Sequence, residues 1–156
     1  MMRAHVVEPT ITIADTLPKE ICDEICAPLG AYNREQNGDF FKTRDLPENA
    51  PKDLSVVARD PAGKIIGGLL GRTQFTWLKI DILSIVAEAR RRGTGRSLMQ
   101  RAEEEGLRRG CIYAYVDTLS YQAPLFYEKL GYAEVGRLRD WDSHGHDKIM
   151  FTKHLR

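Results

Sequence analysis

The stretch from residue 77 to residue 110 constrains the fold more than any other part of this sequence. It opens with WLKIDILSIVA, an almost continuous apolar run that is typical of a strand covered on both faces of a sheet. The turn ARRRGTGRSLM follows, and Leu98, Ala102 and Leu107 then recur at roughly the spacing of one helix face. A buried strand that passes through a glycine-containing turn into an amphipathic helix predicts a domain with helices packed on a sheet.

The segments on either side of this unit supply further strands and helices. Before it, two strand-like runs flank the turn signal DPAG, and after it come a strand, a short helix and a closing antiparallel pair. We predict one domain over residues 1–156, in the α/β (α+β) class, with one mixed, mostly antiparallel sheet of about six or seven strands flanked by helices. Also expected are an opening strand over residues 5–16, a helix from Pro18 that Pro28 and Gly30 break or kink, and a loop over residues 40–53.

The charge balance limits the partners that the chain can have. Lys and Arg number 23 and Asp and Glu number 22, a formal charge of +1, whereas a general nucleic-acid-binding protein carries a large positive excess. No apolar run approaches the roughly 20 residues of a membrane span, and the first residues lack a signal-peptide core. An odd count of three cysteines without a targeting segment is typical of reduced thiols. We therefore expect a cytoplasmic protein with no nucleic-acid or membrane partner.

Four arginines crowd around the two glycines of the turn, and their repulsion requires an anion to offset it. A helix N-terminus offers unpaired N–H groups and a partial positive charge, so the start of this helix is suited to bind an anion. Glycine lets the chain turn tightly and lets an anion approach the backbone. The cluster predicts a ligand with phosphate groups, held by Arg90, Arg91, Arg92, Gly93, Gly95 and Arg96.

The turn matches two common phosphate-binding loops poorly. A P-loop ends in Gly-Lys-Ser/Thr, which GTGRSL lacks. A dinucleotide-binding turn needs a third glycine where this sequence has Leu98, although Asp117 ends the next strand near the place of a ribose-binding acid. On the residues alone, that alternative stays open, and so does an ordinary solvated face for the arginines.

The turn and a second segment together resemble the GNAT superfamily of N-acetyltransferases. The stretch LSIVAEARRRGTGRSLM is similar to the acetyl-coenzyme A motif Gln/Arg-x-x-Gly-x-Gly/Ala, matched by Arg90, Gly93 and Gly95. The segment SYQAPLFYEKLGY is similar to Asn-x-x-Ala-x-x-x-Tyr-x-x-x-Gly-Phe/Tyr, with Ser120 in place of the Asn. The resemblance extends over residues 50–135 and implies a sheet that splays between its two central strands. The matched positions of the second segment are Ala123, Tyr127, Gly131 and Tyr132.

The resemblance implies acetyl-coenzyme A as the co-substrate. Backbone N–H groups and side chains of the turn would hold its pyrophosphate, and Arg96, Arg101, Arg108 or Arg109 its 3′-phosphate. The pantetheine arm would pair with main-chain groups of the strand before the turn, with the Ile85 N–H toward the acetyl oxygen. The implied cofactor-binding residues are Leu83, Ile85, Arg90, Arg91, Arg92, Gly93, Thr94, Gly95, Arg96, Ser97 and Ser120.

The resemblance also implies direct transfer to a primary amine in a ternary complex, without a covalent enzyme intermediate. Tyr127 is the candidate acid that protonates the departing thiolate. Asp81, a charge in an otherwise apolar strand, is the candidate base, with a structural pairing to Lys79 as the alternative. The spacing of His, Cys, Asp and Glu gives no metal-ligand set. Other side chains that could act as base or line the acceptor pocket are Glu35, Glu88, His144 and His146.

The identity of the acceptor does not follow from the residues expected around it. Residues 30–49 and the DWDSHGHD hairpin mix acids, bases and aromatics, so a small-molecule amine and a protein amino group both fit. The alternative function is a non-catalytic module that binds or senses acetyl-coenzyme A, although an acid at Tyr127 favours an enzyme. Pairing of edge strands would allow a homodimer.

Overall fold

The structure, a computed structural model, describes residues 9–156, and these fall into two compact units. The first unit ends at Asp45 and contains helix α1 (Lys19–Gln36) and the short helix α2 (Gly38–Thr43). The second unit spans Leu46–Arg156 and contains the sheet.

Residues 9–53 correct three of the sequence predictions. Helix α1 runs through Pro28 and Gly30, so the predicted break is wrong. A proline removes one N–H donor from a helix, and the favourable helix formers on both sides keep the other bonds. Residues 9–16 lie in no strand, so this part of the predicted opening strand is wrong, and residues 5–8 lie outside the described residues. The predicted loop over 40–53 contains the end of α2 and a 3₁₀ turn at Pro47–Asn49.

The second unit is a six-stranded sheet in the order β1-β2-β3-β4-β6-β5. Strands β3 and β4 run parallel, and the other neighbours run antiparallel, which confirms the predicted mixed, mostly antiparallel sheet. β1 and β5 form its edges, and a homodimer through an edge strand stays a prediction. The elements are β1 (Lys52–Arg59), β2 (Ile65–Gln74), β3 (Trp77–Ile85), α3 (Thr94–Arg108), β4 (Tyr113–Leu119), α4 (Pro124–Lys129), β5 (Ala133–Leu138) and β6 (Lys148–His154).

Helix α3 packs its apolar face across β1, β2 and β3. Leu98, Met99 and Ala102 are buried on that face, as the helical spacing predicts for Leu98 and Ala102, whereas Leu107 is exposed. Strand β4 alternates buried and part-exposed residues and runs through the same core, which Phe151 of β6 completes. This packing fixes the start of α3 next to the end of β3.

An extra residue in β3 changes the direction of its side chains at Asp81. Ile80 pairs with Gly71 of β2 and Ile82 pairs with Leu70, so Asp81 forms a bulge without a partner of its own. A Cβ at Gly71 would lie 2.4 Å from the Lys79 carbonyl oxygen, so only glycine allows this approach. Before the bulge, even-numbered side chains of β3 are buried; beyond it, odd-numbered ones pack on the core.

Strands β3 and β4 pair over only four residues each, from Trp77–Tyr113 to Ile80–Val116. Beyond Ile80 the strand β3 stays paired with β2, whereas β4 stays paired with β6. The two strands therefore separate at Asp81 and Asp117, and this fork is the splay that the family resemblance implies.

No helix within residues 9–156 is long and apolar enough to cross a membrane. Cys111 is buried, as a packing residue should be, and the three cysteines are free thiols. A cytoplasmic location stays a prediction.

Candidate active site

A cleft of about 1140 Å³ opens where β3 and β4 separate. Its walls come from the end of β3, the turn before α3, the end of β4 and the segment that leads into α4. The cleft brings together most of the residues that the sequence singled out. It is lined by residues 80–85, Arg90, Arg91, Gly93, Gly95, Arg96, residues 116–118, Tyr121, Gln122, Ala123, Phe126, Tyr127 and Lys129.

The main chain of β3 presents peptide groups to this cleft that have no partner strand there. The Val86 N–H donates to the Ile66 carbonyl oxygen at 3.0 Å, which makes this a hydrogen-bonded pair of the β2–β3 ladder. In an antiparallel ladder, hydrogen-bonded pairs alternate with pairs that are not hydrogen-bonded, so the N–H and C=O of Ser84 also face β2. The peptide groups of Leu83 and Ile85 therefore face the opposite edge, which β4 has left. These are the two residues predicted to pair with a pantetheine arm.

The turn before α3 is held in shape by its own side chains. After a 3₁₀ turn at Ala87–Ala89, the Arg90 Nε donates to the Ile85 carbonyl oxygen at 3.0 Å. The hydroxyl of Thr94 donates to the Ala89 carbonyl oxygen at 3.3 Å. Arg91 has φ 60°, a left-handed conformation that is uncommon for residues other than glycine. Thr94 and the Nε of Arg90 therefore shape the loop from within.

The start of α3 has free donors for an anion. Gly93 is the N-cap, with φ 84° and no side-chain cap, and Ser97 N–H already donates to its carbonyl oxygen at 3.0 Å. The N–H groups of Thr94, Gly95 and Arg96 precede the first intrahelical bond and have no helical partner. The predicted contribution of Ser97 is therefore limited to its hydroxyl.

The two glycines of the turn serve different physical purposes. Gly93 needs its positive φ, and nothing lies within 4 Å of the Cβ that it lacks. Gly95 is buried, and a Cβ there would lie 3.0 Å from Cδ1 of Ile85 and 3.3 Å from Cζ of Phe126. Its missing side chain lets α3 pack tightly against β3 and α4, a reason that the sequence did not reveal.

Tyr127 is held in the wall of the cleft by other aromatic rings. Its ring lies 5.2 Å from that of Phe126, 6.1 Å from that of Tyr132 and 6.0 Å from that of Phe151, and the residue is only 7% exposed. No hydrogen bond within residues 9–156 involves its hydroxyl. Because no buried side-chain polar atom in that range lacks a partner, the hydroxyl reaches the open cleft. Burial raises the pKa of Tyr127, and the charge of Asp117 raises it further, so the phenol is protonated at neutral pH.

Comparison with known proteins agrees with these features: the splayed sheet, the cationic start of α3 and Tyr127 in the cleft. Residues 19–132 match the model of the acetyltransferase (GNAT) family. The chain belongs to this family. It is 40% identical over 117 residues to the Blasticidin-S acetyltransferase of Streptomyces morookaense, a match that covers 72% of this chain and 86% of that protein.

Two further relatives support the assignment to the GNAT family. The chain is 32% identical over 126 residues to Acetyltransferase Atu2258 of Agrobacterium fabrum, which covers 81% of this chain and 85% of that one. A 1.9 Å crystal structure of an acetyltransferase from Bacillus cereus matches with a TM-score of 0.69 and 29% identity, over 92% of this chain and 97% of that chain. The GNAT fold predicted from the two motifs is therefore confirmed.

Asp81 of this GNAT protein lies at the fork but is not the buried carboxylate that the sequence suggests. Its side chain is 31% exposed, and its oxygens are 3.1 Å from Lys79 Nζ and 3.3 Å from Arg72 Nη1. The pairing with Lys79 was the expected structural alternative, and the bulge brings Arg72 in as well.

Several residues predicted for the cofactor of this GNAT protein have other partners. Arg109 donates to the backbone oxygen of Asp53 at 2.9 Å, at the far end of α3, about 20 Å from the cleft-facing end by the rise of a helix. The Ser120 hydroxyl accepts from the Asp147 N–H at 3.1 Å. Arg101 pairs with Glu104, and Arg108 and Arg109 both pair with Glu105.

The hairpin loop between β5 and β6 contains the two histidines that the sequence singled out. Asp142 accepts from the N–H groups of His144 and His146 at 2.9 and 3.1 Å, and its second oxygen lies 2.6 Å from Nδ1 of His146. The His146 ring packs edge-on against Tyr121, which lines the cleft. Within residues 9–156, no group of three or more His, Cys, Asp and Glu side chains could hold a metal ion.

Sequence reasoning missed Asp117 as a residue of this cleft and considered it only for a ribose. Its Oδ1 lies 3.1 Å from Lys148 Nζ, and its Oδ2 accepts from the Tyr115 hydroxyl at 3.1 Å. Phe126 and Gln122 were missed as well. A charged residue in an otherwise alternating strand was the available signal for Asp117, but its partner Lys148 lies on another strand far along the chain.

Proposed function

We propose that this GNAT protein transfers an acetyl group from acetyl-coenzyme A to a primary amine by direct attack within a ternary complex. The observation that carries the proposal is the presence of Tyr127 in the cleft, buried and with a hydroxyl free to donate. The same cleft contains the peptide groups of β3 that have no partner strand and the cationic start of α3. A module that only senses the cofactor would not need an acid at the thioester.

The start of α3 would hold the pyrophosphate of the co-substrate. The free N–H groups of Thr94, Gly95 and Arg96 can donate to phosphate oxygens, and the side chains of Arg91, Arg92 and Arg96 add charge. Arg91 and Arg96 line the cleft, whereas Arg92 is exposed beside it. A Bacillus anthracis protein solved in complex with acetyl coenzyme A matches over 72% of this chain with a TM-score of 0.62 and 18% identity.

The peptide groups of β3 would orient the reacting thioester. In the proposal, the main chain at Leu83 pairs with the amide groups of the pantetheine arm, as an added strand would. The Ile85 N–H then donates to the acetyl oxygen, on which negative charge develops when the amine attacks. These donors are fixed by the β2–β3 ladder, so they need no rearrangement during the reaction.

Two side chains would transfer the protons of the reaction, one as the acid and one as the base. The hydroxyl of Tyr127 donates a proton to the departing thiolate, and its raised pKa keeps that proton in place at neutral pH. Asp81 takes a proton from the incoming amine through a water molecule, because Lys79 and Arg72 already occupy its oxygens. The acceptor is a small-molecule amine or a protein amino group, and the expected site of action is the cytoplasm.

A thiol-release screen tests this function. The protein is mixed with acetyl-coenzyme A and a panel of primary amines, free thiol is detected optically, and each product is identified by mass spectrometry. We expect thiol release that depends on the amine and an acetylated product. Tight binding of acetyl-coenzyme A without turnover on any amine, alkyl, aryl or peptidyl, would show a binding module instead.

A further inference from the structure

The side-chain amide of Gln122 is fixed at its oxygen and free at its nitrogen. The Oε1 atom accepts from the Thr118 hydroxyl and from the Leu119 N–H, both at 2.9 Å. A peptide N–H can only donate, so the atom that it meets is the amide oxygen, and the NH₂ group occupies the other branch of the amide. That group has no hydrogen-bond partner within residues 9–156. Because no buried side-chain polar atom in that range lacks a partner, the NH₂ group is accessible.

The segment between β4 and α4 holds this amide in place through several further hydrogen bonds. The Gln122 N–H donates to the Leu119 carbonyl oxygen at 2.8 Å, and the Ser120 N–H donates to the Asp147 carbonyl oxygen at 2.8 Å. Thr118, which donates to the amide oxygen, is only 5% exposed. The NH₂ group therefore has a fixed orientation before a ligand arrives, which reduces the entropy lost on binding.

Gln122 lines the cleft, whereas Ser120 does not. The resemblance to the GNAT motif implied Ser120 as a cofactor contact. In the structure its hydroxyl accepts from the Asp147 N–H at 3.1 Å, which attaches the segment to the hairpin loop between β5 and β6. Gln122 is therefore the residue of this segment whose side chain offers the cleft a fixed, unused N–H donor.

The cleft also has a strand edge that explains what such a donor could bind. The peptide groups of Leu83 and Ile85 on β3 have no partner strand there, and in the proposed function they pair with the pantetheine arm. An extended arm with amide groups has hydrogen-bonding groups on both of its edges. Strand β3 pairs with one edge only, and a carbonyl oxygen on the other edge loses water when the arm enters the cleft. An N–H donor on the β4 side of the cleft would offset that loss.

We propose that the NH₂ group of Gln122 donates a hydrogen bond to an amide carbonyl oxygen of the pantetheine arm, which makes Gln122 a cofactor-binding residue. This inference rests on the proposed function, which supplies acetyl-coenzyme A as the ligand. A side-chain amide is uncharged, so it suits the neutral arm, whereas the arginines of the turn suit the phosphates. The arm is then held from both sides, by the main chain of β3 and by this side chain.

Gln122→Glu tests the inference because it changes only the donor end of the side chain. A carboxylate oxygen still accepts from Thr118 and Leu119, but the NH₂ group is replaced by an oxygen that cannot donate. Calorimetry gives the Kd of coenzyme A, which contains the arm, and of 3′-phosphoadenosine 5′-diphosphate, which has the nucleotide and phosphates without it. We expect the affinity for coenzyme A to fall by about 10-fold, and the affinity for the nucleotide to fall much less.

Two further variants separate this role from a structural one. Gln122→Glu keeps both internal hydrogen bonds, so its urea midpoint should stay close to that of the parent. Gln122→Met removes the oxygen as well and should lower both the urea midpoint and the affinity for coenzyme A. Gln100→Glu makes the same chemical change on an exposed position of α3 that does not line the cleft, and both Kd values should stay close to those of the parent.

The two ligands also distinguish failure of this inference from failure of the proposed function. An unchanged Kd for coenzyme A in Gln122→Glu, or an equal loss for coenzyme A and the nucleotide, would overturn the inference while the proposed function stands. A loss of affinity accompanied by a lower urea midpoint in Gln122→Glu would assign the side chain a structural role and overturn it as well. A parent protein that binds neither ligand would remove the proposed function, and this inference with it.

Discussion

Gly95 allows the contact between α3, β3 and α4 to be tested by a single added methyl group. In Gly95→Ala the new Cβ would lie 3.0 Å from Cδ1 of Ile85 and 3.3 Å from Cζ of Phe126. Overpacking of this kind costs about 1–3 kcal/mol, and alanine returns up to about 1 kcal/mol over glycine within a helix. Because Gly95 lies in the first turn, where propensity counts less, we expect a net loss of about 1–2 kcal/mol.

A double-mutant cycle separates the steric cost from other effects. Ile85→Val removes Cδ1, the atom that the new methyl group meets, and alone costs about 0.5–1.5 kcal/mol. In Gly95→Ala/Ile85→Val the methyl group has room, so the double variant should be more stable than the sum of the single changes by about 0.5 kcal/mol or more. Urea unfolding followed by tryptophan fluorescence measures each free energy.

Gly93→Ala is the control for the cycle. It places a methyl group where nothing lies within 4 Å, so its cost comes from the positive φ alone and should add to that of Ile85→Val without coupling. Strict additivity of Gly95→Ala with Ile85→Val would refute the steric explanation of Gly95.

Three further results are expected. Tyr132→Phe should lower the free energy of unfolding by about 1.5 kcal/mol, since the buried hydroxyl donates to Glu103 at 3.0 Å; an unchanged urea midpoint would contradict this. The Asp140 N–H and the Arg137 guanidinium lower the pKa of Asp147 in the folded protein. The stability that Asp147 contributes is therefore complete above its pKa in the unfolded chain, about 4, and is lost as the pH falls through its lower pKa in the folded state. In Asp147→Asn, the free energy of unfolding measured with urea should fall less at acidic pH. Salt should weaken acetyl-coenzyme A binding in calorimetry, and Arg96→Met should reduce this dependence more than Arg101→Met, whose charge is paired with Glu104; equal effects would argue against the phosphate site.

The sequence predicted the part of the fold where pattern and local chemistry agree. The apolar run of β3, the turn with its two glycines and the helical spacing of α3 are all local signals, and each element lies where it was expected. The two motifs then supplied the family and the fork between the central strands. Local signals failed at Pro28, where one unfavourable residue did not outweigh the favourable residues of an 18-residue helix.

The predicted site was less complete because its geometry depends on contacts between distant residues. The bulge that turns β3 at Asp81 depends on Gly71, and the ion pairs of the fork depend on Arg72 and Lys148. No spacing rule connects these positions. The sequence singled out Gly95, but its packing against Phe126 could be known only once α4 was in place.

The central claim is that the Tyr127 hydroxyl supplies the proton for the departing thiolate. Tyr127→Phe keeps the ring that packs on Phe126 and Phe151 and removes only the hydroxyl. With an amine that the thiol-release screen identifies, kcat should fall by about 10²–10⁴-fold, the range of general acid catalysis. The acetyl-coenzyme A Kd and the urea midpoint should stay close to those of the parent, and Tyr113→Phe, on the exposed stack with Trp77, should keep full activity. A Tyr127→Phe protein that folds, binds acetyl-coenzyme A and turns over at the parental kcat would contradict the account.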